Sequence, residues 1–477
     1  MCLPGPEIRL LHPAAHRITE QHLSPLADKG EAQGPGVGLP DNALDAVDQF
    51  LSIAAWPLAA LFPSAHSTNT TPLRSRSATS APAIPRPLPG LLDQLRRCPL
   101  FYPAKTNSPG DPMKITAVKA MPLRVPRPQP FISSLGVSPA SENVLVEIHT
   151  DEGLVGLGEA SSIWDRKGQG EADDINGLLA PALVGQDPFR INDLQALMNR
   201  LLHRAFPAKA GIEMALYDLM GKALDTPVYN LLGGLVRDRV LLSHSLSMGS
   251  PEQVLEQATR LAAQGYKTLK LKVGRDARAD VQAMEALRRQ LGPDFTLRVD
   301  ANMGWPSAKE AVRRIRELEP FGLELVEQPL HAADLEGLRF VREQVGVPIM
   351  VDESVWTPAD ALACVRAGAA DVFNVYVAEA GGLGPASQIF ALAEAARLTC
   401  IIGSMPELGI GTAAQAHLAF AMRNLGYASD VNGVVYHQGD IIREKFRIED
   451  GYLYPPAGPG LGVSLDPEQV AKYRINR

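Results

Sequence analysis

Three acidic residues each end a short apolar run: Asp300 in FTLRVDAN, Glu327 in GLELVEQP and Asp352 in VPIMVDES. Glu327 follows Asp300 by 27 residues and Asp352 follows Glu327 by 25, the span of one strand, loop and helix. The repeat places three carboxylates at the same end of three consecutive parallel strands, the end at which a (β/α) barrel carries its active site. A single acidic residue there is ordinarily a helix cap. Three in register, each behind an apolar strand, read as a ligand set. Hard oxygen donors with no Cys or His at ligand spacing suit Mg2+ rather than zinc.

The run before Asp300, YKTLKLKVG, holds Lys270 and Lys272 two residues apart. Alternation along a strand turns both towards the barrel interior. Two inward ammonium groups disfavour each other's charge, which lowers the pKa of one and makes it a usable base. The competing arrangement has one lysine reaching outward, or neutralised by Glu327.

Regular elements must hold these groups in place. Segment 114–124 alternates apolar and polar residues, and NVLVEIHTDEGLVGLGEAS at 143–161 reads as a hairpin around a DEG turn. AKAGIEMALYDLMGKA at 208–223 is helical, with Ile212, Ala215, Leu216 and Leu219 on one face, and LLGG at 231–234 ends the region. From about 239, strand runs near 240–246, 268–273, 295–300, 323–327, 348–352, 372–376 and 398–402 alternate with helical segments such as 251–264, 308–318 and 384–397. Seven or eight such units predict a parallel barrel, and no G-x-G-x-x-G fingerprint supports a dinucleotide fold. The expected organisation is an α+β domain over 113–238, completed by 437–477, and a barrel over 239–436.

A net charge of −7 without a basic stripe or Lys/Arg block argues against nucleic acid or a membrane surface as partner. Cys2, Cys98, Cys364 and Cys400 are scattered without C-x-x-C spacing, which fits a reducing cytoplasm; Cys364 and Cys400 are expected to be inert core residues. Residues 1–112 differ from the rest. PSAHSTNTTPLRSRSATSAPAIPRPLPG at 63–90 has no periodicity and too little apolar surface to offset chain entropy, so disorder is expected. The apolar run 50–62 contains Pro57 and falls short of the ~20 residues a membrane span needs. It also lies too far along the chain for a signal peptide. The folded pattern starts at Met113.

Taken together, K-x-K (Lys270 to Lys272), D-x-N (Asp300-Ala301-Asn302), E-x-P (Glu327-Gln328-Pro329) and D-E-S (Asp352-Glu353-Ser354) resemble the enolase superfamily. MALYDLMGKA and LLGG match its capping domain, and the two-lysine strand with the D-E third ligand resembles its muconate lactonizing enzyme subgroup. The resemblance covers roughly 113–465. It implies a modified TIM barrel, (β/α)7β, with an α+β capping domain, in a homo-oligomer. It also implies Mg2+ on Asp300, Glu327 and Asp352, with Lys272 removing a proton α to a carboxylate beside Lys270. Asn302 and Ser404 would bind a small carboxylate substrate. A lysine alone is too weak a base for such a proton; the metal stabilises the enediolate as its charge develops.

One departure bears on the reaction. The sixth strand of the family usually ends in N-I-K, whereas Asn374-Val375-Tyr376 stands here, so Tyr376 replaces a second lysine. Gly403-Ser404-Met405-Pro406-Glu407 at the seventh strand end supplies no His, so the subgroup with a His–Asp base pair does not fit. Tyr376, with an ordinary pKa near ~10, can donate a proton or hydrogen bond but is a poor base. Glu407 is a further catalytic candidate, or a helix N-terminal residue. Inverting a stereocentre needs acid–base groups on both faces of the substrate. The expected activities are therefore, in order, a muconate-lactonizing-type cycloisomerase, an acid-sugar or hydroxy-acid dehydratase, and an amino-acid racemase or epimerase. The non-enzyme alternative keeps the metal as a binding barrel, against which the intact lysines argue. Specificity is expected from PFISSLGVSPAS (130–141) and from around Trp164, which carry Ser133, Ser134 and Ser138 and no evident charged clamp.

Overall fold

The computed structural model describes residues 112–164 and 167–475. The disorder expected before residue 112, the 50–62 run, Cys2 and Cys98 lie outside the described residues.

The described residues open as an antiparallel sheet of β1 (Ile115–Ser133), β2 (Gly136–Thr150) and β3 (Val155–Ala160). β1 runs well past the alternating stretch because it stays paired with β2 across a register shift between Pro126 and Phe131, up to Ser133 against Gly136. Five α-helices follow, the first two joined by a π-helical turn at Ile175–Leu179: α1 (Gln169–Asp174), α2 (Ala180–Leu183), α3 (Ile191–Leu201), α4 (Phe206–Ala223) and α5 (Val228–Leu231). The expected one-sided burial of α4 is too narrow. It is buried on nearly every side because it lies between the sheet and the barrel helices. Gly158 of β3 permits that approach: a Cβ there would sit 1.8 Å from the Gly211 carbonyl oxygen.

Beyond β4 (Val240–Leu241) come seven parallel strands in chain order. They are β5 (Ser243–Leu246), β6 (Thr268–Lys272), β7 (Thr296–Asp300), β8 (Leu323–Glu327), β9 (Ile349–Val351), β10 (Val372–Val375) and β11 (Thr399–Ile402). The helices around them are α6 (Pro251–Ala263), α7 (Ala277–Leu291), α8 (Ala308–Leu318), α9 (Leu335–Gln344), α10 (Pro358–Ala367), the short α11 (Val377–Ala380), α12 (Leu383–Ala395) and α13 (Gly409–Ala421). α6 shows why they form: Ser250 and Gln253 make a capping box, and Val254, Ala258 and Leu261 fall on one buried stripe.

Residues 425–430 take the eighth position. Leu425 bridges Cys400 and Ser429 bridges Leu242, both parallel. Ser243 N–H donates to Ser429 O at 2.9 Å and Asp430 N–H to Ile402 O at 2.8 Å, so this segment joins the first and last strands. YASD is too short and polar to stand out as a strand in the sequence, and the sequence reading did not separate it.

After residue 437 the chain returns to β1. Gln438 N–H donates to Pro126 O and Ile475 N–H to Pro122 O, each at 2.9 Å. Between these contacts β12 (Ile448–Glu449) pairs with β13 (Tyr452–Leu453), and β13 pairs with β4. Cys364 and Cys400 are free and buried, as expected. Among the described residues no helix is long and apolar enough to cross a membrane.

Candidate active site

Asp300 and Glu327 are register partners at the ends of β7 and β8, and Asp352 follows β9 directly. Their ligand atoms lie within 4.8 Å of one another, and all three residues are buried. Lys272 ends β6 opposite Asp300, with Nζ 2.5 Å from Asp300 Oδ2. Lys270, one layer deeper, is register partner of the fully buried Arg298.

The expectation that the lysines govern each other's charge does not hold for Lys270. Its Nζ lies 2.7 Å from Asp430 Oδ2, 2.8 Å from Glu327 Oε2 and 3.8 Å from Asp300 Oδ2. Burial alone would lower its pKa, but Asp430, Glu327 and Asp300 together hold it well above the ordinary lysine value. The neutralisation by Glu327 weighed from the sequence is present, with Asp430 added. Asp430 comes from the eighth strand, which no apolar run marks in the sequence.

Tyr376 follows β10 and is buried. Its OH donates to Asp352 Oδ2 at 3.0 Å, and Asn374 Nδ2 donates to Glu327 Oε1 at 2.8 Å. Burial first, then Asp352 and Glu327, push the phenol well above its usual value, so it stays protonated. Gly403 makes room for the ring: a Cβ there would lie 2.2 Å from Tyr376 Cζ.

Asn302 borders the site with a backbone φ of 41°. Its N–H donates to Asp300 Oδ1 at 2.8 Å and its Nδ2 to Glu353 Oε1 at 3.1 Å. Ser404 lines the cavity, but its hydroxyl donates to Glu407 Oε2 at 2.5 Å. Glu407 stands just before α13, the helix N-terminal place weighed for it from the sequence. Its buried carboxylate accepts from Ser404 and from Met405 N–H, folding the 404–407 loop onto itself just before α13, and it does not border the cavity.

Two further acids face the cavity, Glu353 and Glu379. Trp164 Nε1 donates to Glu379 Oε1 at 2.8 Å. Burial, with Asp300 nearby, pushes Glu353 up to about 8; burial likewise pushes Glu379 well above the carboxylate range. Glu353 could have been found as the direct neighbour of Asp352, whereas Glu379 carried no signal of its own. The cavity measures about 420 Å³ and lies between the barrel mouth and the first domain, which contributes Phe131, Ser133, Ser138 and Trp164. These belong to the segments from which specificity was expected. The same wall holds Arg127, which lies outside those segments.

Six carboxylates therefore crowd two lysines: Asp300, Glu327, Asp352, Glu353, Glu379 and Asp430 against Lys270 and Lys272. Burial and the neighbouring acids push Asp352 well above its ordinary pKa. Glu327 Oε2, though 2.8 Å from Lys270 Nζ, accepts no well-aligned hydrogen bond. An all-oxygen donor set with this surplus of negative charge fits a hard divalent cation such as Mg2+.

Residues 115–233 match the N-terminal domain of the mandelate racemase / muconate lactonizing enzyme family, and residues 253–470 match the enolase C-terminal domain-like family. The chain is 37% identical over 357 residues to the L-Ala-D/L-Glu epimerase of Bacillus subtilis, covering 74% of this chain and 97% of that protein. It is 32% identical over 370 residues to a chloromuconate cycloisomerase of Cupriavidus necator, covering 76% and 99%. The crystal structure of a dipeptide epimerase from Enterococcus faecalis, complexed with Mg and the dipeptide L-Leu-L-Tyr, superposes with a TM-score of 0.70 at 35% identity, covering 74% and 99%.

Proposed function

This chain belongs to the mandelate racemase/muconate lactonizing enzyme family of the enolase superfamily, and we propose from that premise a one-face proton chemistry. In this reading Lys272 removes a proton α to the carboxylate of a small substrate and works as the acid–base group of a muconate-lactonizing-type cycloisomerase. The observation that carries it is Tyr376. The group at the end of the sixth strand is a phenol that donates to Asp352, and it is held too far from ionisation to accept a proton.

Asp300, Glu327 and Asp352 would hold Mg2+, which supplies positive charge to the substrate carboxylate oxygens as negative charge builds on them. Lys270 stays charged between Asp430 and Glu327 and so accepts no proton. That leaves Lys272, which borders the cavity, to give a proton to the α carbon as the C–O bond forms in ring closure, and to take it from the same face as that bond breaks in ring opening. The first domain closes over the cavity with Trp164 and Phe131 and limits water around the reacting atoms.

Epimerisation is the second reading, favoured by the 37% identity to an epimerase. It requires delivery to the opposite face, for which the Tyr376 hydroxyl is the group in place. The two readings separate in D2O with a panel of mono- and diacids, sugar acids and amino-acid derivatives in Mg2+. Deuterium incorporated with retained configuration supports the one-face reading, and rapid epimerisation overturns it. Lys272→Ala should abolish exchange, whereas Tyr376→Phe should slow turnover and leave exchange detectable.

A further inference from the structure

Each deeply buried cation named so far at the barrel centre has an acidic partner. Lys270 has Asp430 and Glu327, and Arg298 Nε lies 2.5 Å from Glu324. Arg127 of β1 is different. It is 6% exposed and borders the same cavity as Lys272 and Asp352. Only its Nη2 has a partner, the Ser141 hydroxyl at 3.0 Å, while Nε and Nη1 have none. Among the described residues no carboxylate lies within ion-pair distance of it.

The neighbours supply no negative charge either. Ser141 Oγ also meets His437 Nε2 at 2.8 Å. Burial, then the repulsion of Arg127, pushes that imidazole down to about 3, so it is neutral. The Phe131 ring centroid is 6.0 Å from the guanidinium, and Tyr436 packs edge-on against Phe131. Burial pulls Arg127 down to about 10, which still leaves it charged at neutral pH. A guanidinium has five N–H donors, and leaving most of them dry is costly unless a ligand takes them.

We propose that Arg127 anchors a second anionic group of the substrate, so that the site takes a dianion with one carboxylate at the acidic triad and the other on Arg127. This deepens the proposed function and rests on it for the first carboxylate. Planar guanidinium matches carboxylate geometry, and the water-poor aromatic wall strengthens the contact. Arg127 would then select the substrate without touching the reacting carbon.

The test uses the full-length protein in Mg2+, with α,ω-diacids of four to eight carbons and their monomethyl esters as probes in calorimetric titrations. The ester keeps the length and one carboxylate while removing the second charge. At least one diacid should bind ten times or more tightly than its ester. Arg127→Gln should erase that ratio while leaving the ester's affinity within about twofold, and Arg127→Lys should restore part of it. No diacid preference in the wild type, or equal losses for diacid and ester in a folded Arg127→Gln protein, overturns the proposal. If Arg127→Gln does not fold, the wild-type ratio and Arg127→Lys still decide. Lys272→Ala should keep the diacid preference. Deuterium exchange persisting in that variant would sink the base assignment and leave the anchor standing.

Discussion

At the residue scale the centre is an electrostatic construction whose parts differ in kind. Asp300, Glu327 and Asp352 are strand-end carboxylates, and exchanging any of them for its amide keeps the shape while removing a ligand charge. Asp300→Asn, Glu327→Gln and Asp352→Asn should each lower turnover by at least about 10²–10³-fold. Circular dichroism should remain unchanged and Mg2+ binding should be lost; full activity after exhaustive chelation would contradict the metal assignment. Tyr376 acts on the same set through Asp352, so Tyr376→Phe should weaken Mg2+ binding by about tenfold, measurable by titration. The triad and the lysine strand were legible in the sequence because their spacing follows the period of the fold itself. Asp430 and Arg127 were not legible. Each is defined by a contact between segments far apart in the chain, and local pattern carries nothing about such contacts.

At the element scale, two barrel helices depend on the first domain for their starts. α12 and α13 begin after Gly382 and Leu408, neither of which offers a side-chain cap. Leu383 and Gly384 N–H donate instead to Glu213 of α4, at 2.7 and 2.8 Å, and Leu408 and Gly411 N–H to Glu159 of β3, at the same two distances. Burial pushes both carboxyls up to about 7, with the donated N–H groups pulling the other way. In the unfolded chain they titrate near ~4.3. The folded state therefore holds the extra protons between those values. The stability they contribute is complete below the unfolded pKa and is lost as pH rises through about 7. The urea midpoint should fall between pH 5 and pH 8, and Glu213→Gln should flatten part of that fall; an unchanged slope in the variant would refute the assignment. Helix and strand positions were legible from periodicity, including α4 to within two residues at its start. These borrowed caps were hidden, since a sequence shows only a helix lacking its own.

At the scale of the whole molecule, the two largest hydrophobic clusters among the described residues draw on residues from Ile115 to Tyr473. A chain beginning at Met113 should accordingly fold, unfold cooperatively and keep its activity. Loss of cooperative unfolding in that variant would show that the preceding residues contribute to the fold. The alternation of strands and helices made the barrel legible, while its closure was not, because the eighth strand is too short to carry a pattern.

That closure also sets a timetable. Lys270 and its partner Asp430 are 160 residues apart, and the terminal segment at Ile475 is stitched to Pro122 near the beginning. At roughly 5–20 residues per second, a ribosome takes on the order of ten seconds to deliver Asp430 after Lys270. Throughout that interval the nascent barrel has an open edge on either side and an ammonium group without its main counter-ion. The first domain likewise waits for the last residues before β1 is finished. Both halves thus depend on residues made long after their first strands, and pauses in translation between residues 272 and 430 should increase aggregation more than pauses placed before residue 240.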